Sequence, residues 1–464
     1  MSTECTIRFD NNPHGVYYSG QLVSGACELV TTKQKTIRAI YITINGFAQV
    51  RWTESRSRKT AEGKSENYIE TFRGDEQYLS SRTVVLGQDT GNFFELHPGK
   101  YVYPFQIQLP PHVPTSYNGF YGQIRYEVNL AIDRPWKYDN IFRQPFTVIS
   151  PLDLNTNPIY RAPVEKKEEK QFCCGTCFYF KNDPIVLNAD IPYSAFAPGQ
   201  NIDFKIFVGN ESNVDCREVK IKLVQTTEFS TRTPEAKHRT ESMKVAEKKL
   251  GAVLKLSRKE YKDFLKIPAV APSSLETCSI IKVKYTLEIN VKIAGLHTNM
   301  NISVPVTIGT IPLAGTVAGG DSVITMQPQA NGQRDGQPPP YSSIAPPAYE
   351  EATHSGKLFV DKDEEEKYGK ALPFVPKYPV YHSPNAPTSG PIPPTIGHTT
   401  PSKPPANVPA AGPTPEELNL GIIPNPAATT PGPIPMYPPV PPADQPSSPP
   451  KQPDVKPRPI GWNA

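Results

Sequence analysis

Two short motifs in the last third of the chain have the residue types and spacing to bind a partner. Residues 338–349 read PPPYSSIAPPAY and hold Pro338-Pro339-Pro340-Tyr341 and Pro346-Pro347-Ala348-Tyr349. In each PPxY motif two adjacent prolines preset a polyproline II turn whose rings lie in an aromatic groove. The tyrosine two positions further on fills a second pocket, which is the recognition chemistry of WW domains. Because the prolines are already extended, little chain entropy is lost on docking. The composition of residues 314–464, with 35 Pro and 6 Tyr, would produce about 0.3 such motifs by accident. Two in one short run therefore favour function. The candidate contacts are Pro338, Pro339, Tyr341, Pro346, Pro347 and Tyr349. The motifs start eight residues apart. An extended path between them covers roughly 25 Å at about 3.1 Å per residue.

No other constellation is as sharp. There is no GxSxG elbow, no HExxH, no Walker loop and no GxGxxG after a strand, so an enzyme is not expected. The eight histidines are scattered, without ligand spacing. Seven cysteines include Cys173, Cys174 and Cys177, crowded in CCGTC. Cys174 and Cys177 would supply half of a zinc site, but no second pair follows to complete it. A palmitoylation cluster and plain reduced thiols are the other readings. No metal or cofactor is expected.

The elements that position the motifs divide by composition. Residues 1–313 hold 19 of the 54 prolines and residues 314–464 the remaining 35. Proline fixes φ and lacks an N–H, so a stretch this rich in it supports neither helix nor central strand. The tail, 314–464, is accordingly expected to be disordered. The charge is +4 overall, with the front mildly basic and the tail slightly acidic. That is too weak for a nucleic-acid-binding signature, and no nucleic acid partner is expected. The opening MSTECTIRFDNN has no apolar signal core, and no apolar run of 18 residues exists. Ser2 rules out myristoylation and the closing GWNA is not a prenylation box. A cytoplasmic protein that meets membranes by recruitment is expected.

The front repeats with a period of two. Ile40, Ile42, Ile44, Gly46, Ala48, Val50 and Trp52 alternate with mostly polar residues, either as one long strand or as two joined at Asn45-Gly46. Ile281, Val283, Tyr285, Leu287, Ile289, Val291 and Ile293 alternate with Lys, Thr, Glu and Asn. Alternation of this kind predicts antiparallel sheets with one wet face. Recurrent turns such as His97-Pro98-Gly99, Asn118-Gly119 and Ala197-Pro198-Gly199 suit β-sandwiches. One modest helix is expected near Arg258–Leu265. Ala162–Lys170, APVEKKEEK, reads as a charged linker. The resulting division is 5–155, a linker or hinge over 156–180, a second sandwich over 181–313, and the tail. Sandwiches joined this way are expected to share a modest interface and to shift relative to one another.

These residues resemble the arrestin-domain-containing proteins, or α-arrestins, over essentially the whole chain. The resemblance rests on NNPHGVYYSGQLVSGACEL, LHPGKYVYPFQIQLP and PTSYNGFYGQIRYEVNLAIDRPWKYD in the first half. It continues through YSAFAPGQNI, VAPSSLETCSIIKVKYTLEINV, ISVPVTIGTIPL and the tail stretch PPPYSSIAPPAYEEA. It implies an all-β fold of two tandem arrestin-type sandwiches followed by the proline-rich tail. It also implies an adaptor joining membrane receptors or transporters to HECT-type ubiquitin ligases through their WW domains, at the plasma membrane and endosomes. Leu358-Phe359-Val360-Asp361 is only a fragment of a clathrin box, and no PTAP or PSAP occurs. The thioredoxin-binding member of the family uses a cysteine of its second domain. Cys216 and Cys278 lie there, so a redox or transcriptional scaffold with thioredoxin-like or other WW partners is the alternative.

Overall fold

The computed structural model describes residues 3–59, 61, 63–88, 92–135, 139–171, 184–273, 277–316, 347–353, 358–360 and 374–381. Among them there is no α-helix, only strands, turns and two short 3-10 turns. The first half runs β1 Thr3–Phe9, β2 Val16–Tyr18, β3 Leu22–Thr31, β4 Lys35–Ile37, β5 Ala39–Lys59 and β6 Ser65–Gly87. It continues with β7 Phe94–Leu96, β8 Gly99–Gln108, β9 Tyr117–Asn118, β10 Gly122–Asp133 and β11 Asn140–Ile149. The second comprises β12 Val164–Lys170, β13 Ile185–Ile191, β14 Ala195–Phe196, β15 Asn201–Asn210 and β16 Cys216–Thr231. Then come β17 Lys237–Val253, β18 Ser257–Lys266, β19 Ile281–Ile293 and β20 Met300–Ile308, and in the tail β21 Ala348–Glu351 and β22 Lys377–Val380.

The period-two segments form the sheet centres. β5 is one continuous strand, and its even residues from Ile40 to Trp52 are buried. Burying each such large aliphatic side chain contributes about 1.5–3 kcal/mol. β5 lies between β10 and β6 in the sheet β2-β11-β10-β5-β6, which faces the smaller sheet β1-β3-β8. Phe9 of β1 meets Phe146 of β11 edge-on at 5.6 Å, closing the core between the two layers. The second sandwich stacks β12-β13-β15-β18 on β14-β20-β19-β16-β17. Along β19 the odd residues are buried and Lys282, Lys284 and Lys292 are exposed, as the alternation predicts.

Three expectations change. Arg258–Leu265 is not a helix but most of β18, paired with β15 from Asn201↔Lys266 to Asn210↔Ser257. Its buried residues, Tyr261 and Leu265, stand four apart, a spacing that fits one helix face and one strand face equally. Val164–Lys170 is not linker but β12, in full register with β13. It is an edge strand, where charged side chains prevent pairing with another chain. Residues 151–161 are also fixed. Leu152 N donates to Thr310 Oγ1 (2.7 Å), Leu154 N to Ile311 O (3.2 Å), and Leu154 is buried against Ala195 and Leu313. The tail, finally, does not wholly lack packed elements, because β21 and β22 pair antiparallel against the sandwiches.

Candidate partner-binding site

The two sandwiches and the described tail segments belong to one compact unit, residues 1–390. The sandwiches share one continuous buried cluster. The hairpin β5–β6 lies against the hairpin β16–β17. Arg73 N donates to Thr233 O (2.8 Å) and Arg232 N to Arg73 O (2.8 Å). Glu54 receives hydrogen bonds from Lys237 and from Arg239 (2.9 Å), both on β17, and from Trp52 Nε1 (3.1 Å). The Lys237 bond, with those from Arg239 and Trp52 behind it, holds the Glu54 carboxyl down at about 2 despite desolvation. Arg239 also stacks over Trp52 at 5.1 Å and Tyr121 at 5.2 Å. Glu76 accepts from Arg232 (2.8 Å) and from the Ser279 N–H (3.2 Å), so a carboxylate of the first sandwich satisfies donors of the second.

Deeper in, the interface becomes core. Tyr117 OH lies 2.8 Å from Thr227 Oγ1, Gln225 Nε2 donates to Tyr117 OH (3.1 Å), and Tyr285 OH donates to Ala271 O (2.6 Å). Tyr117, Gln225, Thr227 and Tyr285 are all buried. Interior polar groups that are paired in this way fix one arrangement, because each would be costly unpaired.

The tail sits across this junction. Tyr378 is buried and its hydroxyl donates to Ser116 O at 2.9 Å. Lys377 N donates to Thr147 Oγ1 (3.1 Å), and on the other sandwich Tyr381 N donates to Pro198 O (2.8 Å) and Tyr381 OH to Thr310 O (2.7 Å). Gly199, at φ +88°, leaves the space its missing Cβ would take to the Tyr381 carbonyl. Thr353 N bonds Ala269 O (2.7 Å), and Phe359 N bonds Gly119 O (2.8 Å). Phe359, central to the clathrin-box fragment, is buried.

Of the six motif residues, Pro338, Pro339, Tyr341 and Pro346 lie outside the described residues, as do Cys173, Cys174 and Cys177. Pro347 is half-buried immediately before β21. Tyr349 is half-buried and packs on Val16, Tyr18 and Ile149, with the His14 ring 5.8 Å away. The sequence reading missed Tyr378 and Tyr381, and took Phe359 only as part of the clathrin-box fragment. The signal for Tyr378 and Tyr381 is the return of aromatic and β-branched residues in FVPKYPVY, residues 374–381, within an otherwise proline- and polar-rich stretch.

The cysteines of the second sandwich are poorly placed for thiolate chemistry. Cys216 is buried and its thiol is pushed up to about 11, chiefly by burial. Burial likewise raises the Cys278 thiol, which is closed in beside Tyr78. Among the described residues no three metal-ligating side chains come together, and no helix is long and apolar enough to cross a membrane.

A pair of two-layer antiparallel sandwiches, packed hairpin against hairpin with a tail strapped over the seam, defines a binding protein built on the arrestin plan. The family pattern "Arrestin (or S-antigen), N-terminal domain" matches residues 5–155, and "Arrestin (or S-antigen), C-terminal domain" matches residues 181–313. Arrestin domain-containing protein 4 of Homo sapiens is 30% identical over 310 residues, covering 66% of this chain and 71% of that protein. Arrestin domain-containing protein 17 of Caenorhabditis elegans is 28% identical over 311 residues, covering 65% and 69%. Arrestin domain-containing protein 1 of Rattus norvegicus is 28% identical over 349 residues, covering 75% and 72%. The chain belongs to the arrestin-domain-containing proteins, the α-arrestins. Its relatives support an arrestin-type adaptor, a family that generally works by binding rather than catalysis.

Proposed function

We propose that this α-arrestin recruits WW-domain HECT-type ubiquitin ligases to membrane receptors or transporters and so promotes their ubiquitination, internalisation and endosomal sorting. The observation that carries the reading is the pair of PPxY motifs eight residues apart on a tail joined to an arrestin body. The sandwiches supply broad surfaces for cargo. The tail supplies Pro338, Pro339, Tyr341, Pro346, Pro347 and Tyr349 for the ligase. On this reading the protein is cytoplasmic and reaches the plasma membrane and endosomes through its partners. The buried, raised thiols of Cys216 and Cys278 weigh against the redox alternative, since a thiolate is the reactive form.

The test is capture of a HECT-type ligase by the full chain, with cargo ubiquitination as the second readout. Changing Tyr341 and Tyr349 together to Ala should abolish both. Ligase capture that persists in the double variant would refute the assignment.

A further inference from the structure

The second PPxY motif is engaged by the protein itself. β21 begins inside it, at Ala348, and Tyr349 rests on an apolar facet made by Val16 and Tyr18 of β2 and Ile149 of β11. The His14 ring stands beside it, tilted 41°. A WW domain requires the same phenol in its own pocket, with the preceding prolines laid along an aromatic groove. One side chain cannot fill both sites, so the two engagements exclude each other.

The hold on Tyr349 is weak by construction. β21 has four residues, and Tyr349 is opposite Pro379, which has no N–H to donate. A two-stranded hairpin of this size is marginal by itself. It is kept in place by β22, which is anchored separately by the buried Tyr378 and by Tyr381, and by the single bond from Thr353 N to Ala269 O (2.7 Å) just beyond the strand. The anchor and the motif are thus distinct, and the motif can leave while the anchor stays.

Building on the ligase-adaptor reading, we propose that the facet of Val16, Tyr18 and Ile149 is a docking site for the chain's own second PPxY motif, and that it competes with WW domains for Tyr349. A ligase then reaches this motif only in the fraction of molecules in which β21 has detached. Whatever loosens β22 from the sandwich junction raises that fraction.

The test uses the full chain carrying Tyr341→Ala, so that only the second motif reports, and one isolated WW domain of a HECT-type ligase. Calorimetry should find a peptide of residues 343–353 binding about tenfold tighter than the full chain, as follows if about one molecule in ten is undocked. Adding Tyr378→Ser and Tyr381→Ser should bring the full chain to within about twofold of the peptide. Because those changes could disturb the junction, a second variant locks the hairpin instead. Glu351 and Lys377 are cross-strand partners, so Glu351→Cys with Lys377→Cys can be oxidised to a bridge. Oxidation should weaken WW binding by a further factor of about ten or more, and reduction should restore it.

Equal affinities of peptide and full chain, or a bridge without effect, would overturn the docking proposal while leaving the ligase reading intact. So would a weak full chain that neither the serine variant nor the bridge changes. Failure of the free peptide to bind any WW domain would overturn the docking proposal, and failure of a peptide carrying both motifs would overturn the ligase reading as well.

Discussion

Gly119 offers a direct probe of how firmly the sandwiches are joined. It lies in the turn between β9 and β10, and a Cβ there would come within 2.8 Å of Phe229 Cζ and of Tyr117 Cε1, and 2.9 Å of Tyr117 OH. These atoms belong to opposite sandwiches, so Gly119→Ala drives a methyl group into the seam. Neither neighbour yields easily. Phe229 is fully buried, and the Tyr117 hydroxyl is tied to Thr227 and Gln225. Overpacking of this kind costs about 1–3 kcal/mol, and losing the Tyr117–Thr227 hydrogen bond adds about 1 kcal/mol. The expected destabilisation is thus about 2–4 kcal/mol, measurable as a lower urea midpoint at unchanged slope. Phe229→Leu should relieve part of it, making the double variant about 1 kcal/mol more stable than the sum of the single effects. A Gly119→Ala protein within about 0.5 kcal/mol of the parent would show that the seam is loose and the reasoning wrong.

Other outcomes follow from the same interface and tail. Glu54 is held at about 2, against an ordinary 4.5, so its contribution to the junction is complete above pH 4.5 and is lost as pH falls through 2. Glu54→Gln should flatten that acid limb in a pH series of thermal melts. Residues 1–161 expressed alone should aggregate where residues 1–390 are soluble, because Trp52, Phe72 and Tyr117 lose their cover, and size-exclusion chromatography decides this. Glu127→Ala should cost about 3–5 kcal/mol in chemical denaturation, since it strands the buried Arg125 that pairs with Glu127 at 2.9 Å. A tail peptide with both PPxY motifs should bind a tandem-WW fragment about ten- to a hundredfold tighter than either single motif does. Phosphorylation of either tyrosine should remove most of this gain, because a phosphate brings about two negative charges into an apolar pocket.

How much could be read in the sequence depended on how local the deciding contacts are. β5 and β19 were legible because each has one dry face, so the period of two survives in the residues themselves. β10 was not, because from Gly122 to Ile132 it is buried on both faces and alternation is lost. β12 was hidden by its edge position, which removes the apolar signal, and β18 by a spacing that two structures share. The PPxY motifs were legible as chemistry, since their meaning lies within four residues. The resting place of Tyr349 was not, because the side chains that receive it stand 200 to 333 positions earlier in the chain. Tyr378 likewise stands 262 positions from Ser116, and Tyr381 stands 71 from Thr310.

That distance sets an order of events during synthesis. The hydrogen bond from Tyr378 to Ser116 spans 262 positions and needs the first sandwich, while Tyr381 needs Pro198 and Thr310 of the second, so the full set closes only when both sandwiches have formed. Emerging from the ribosome at about 5–20 residues per second, the tail is the last described part to find its seat. A nascent or damaged chain whose second sandwich has not folded offers β22 only the half of its seat made by Ser116 and Thr147, so β21 is held less firmly and Tyr349 is more often uncovered. The seating of the tail is therefore a molecular certificate of completion, issued only when distant parts of the chain agree.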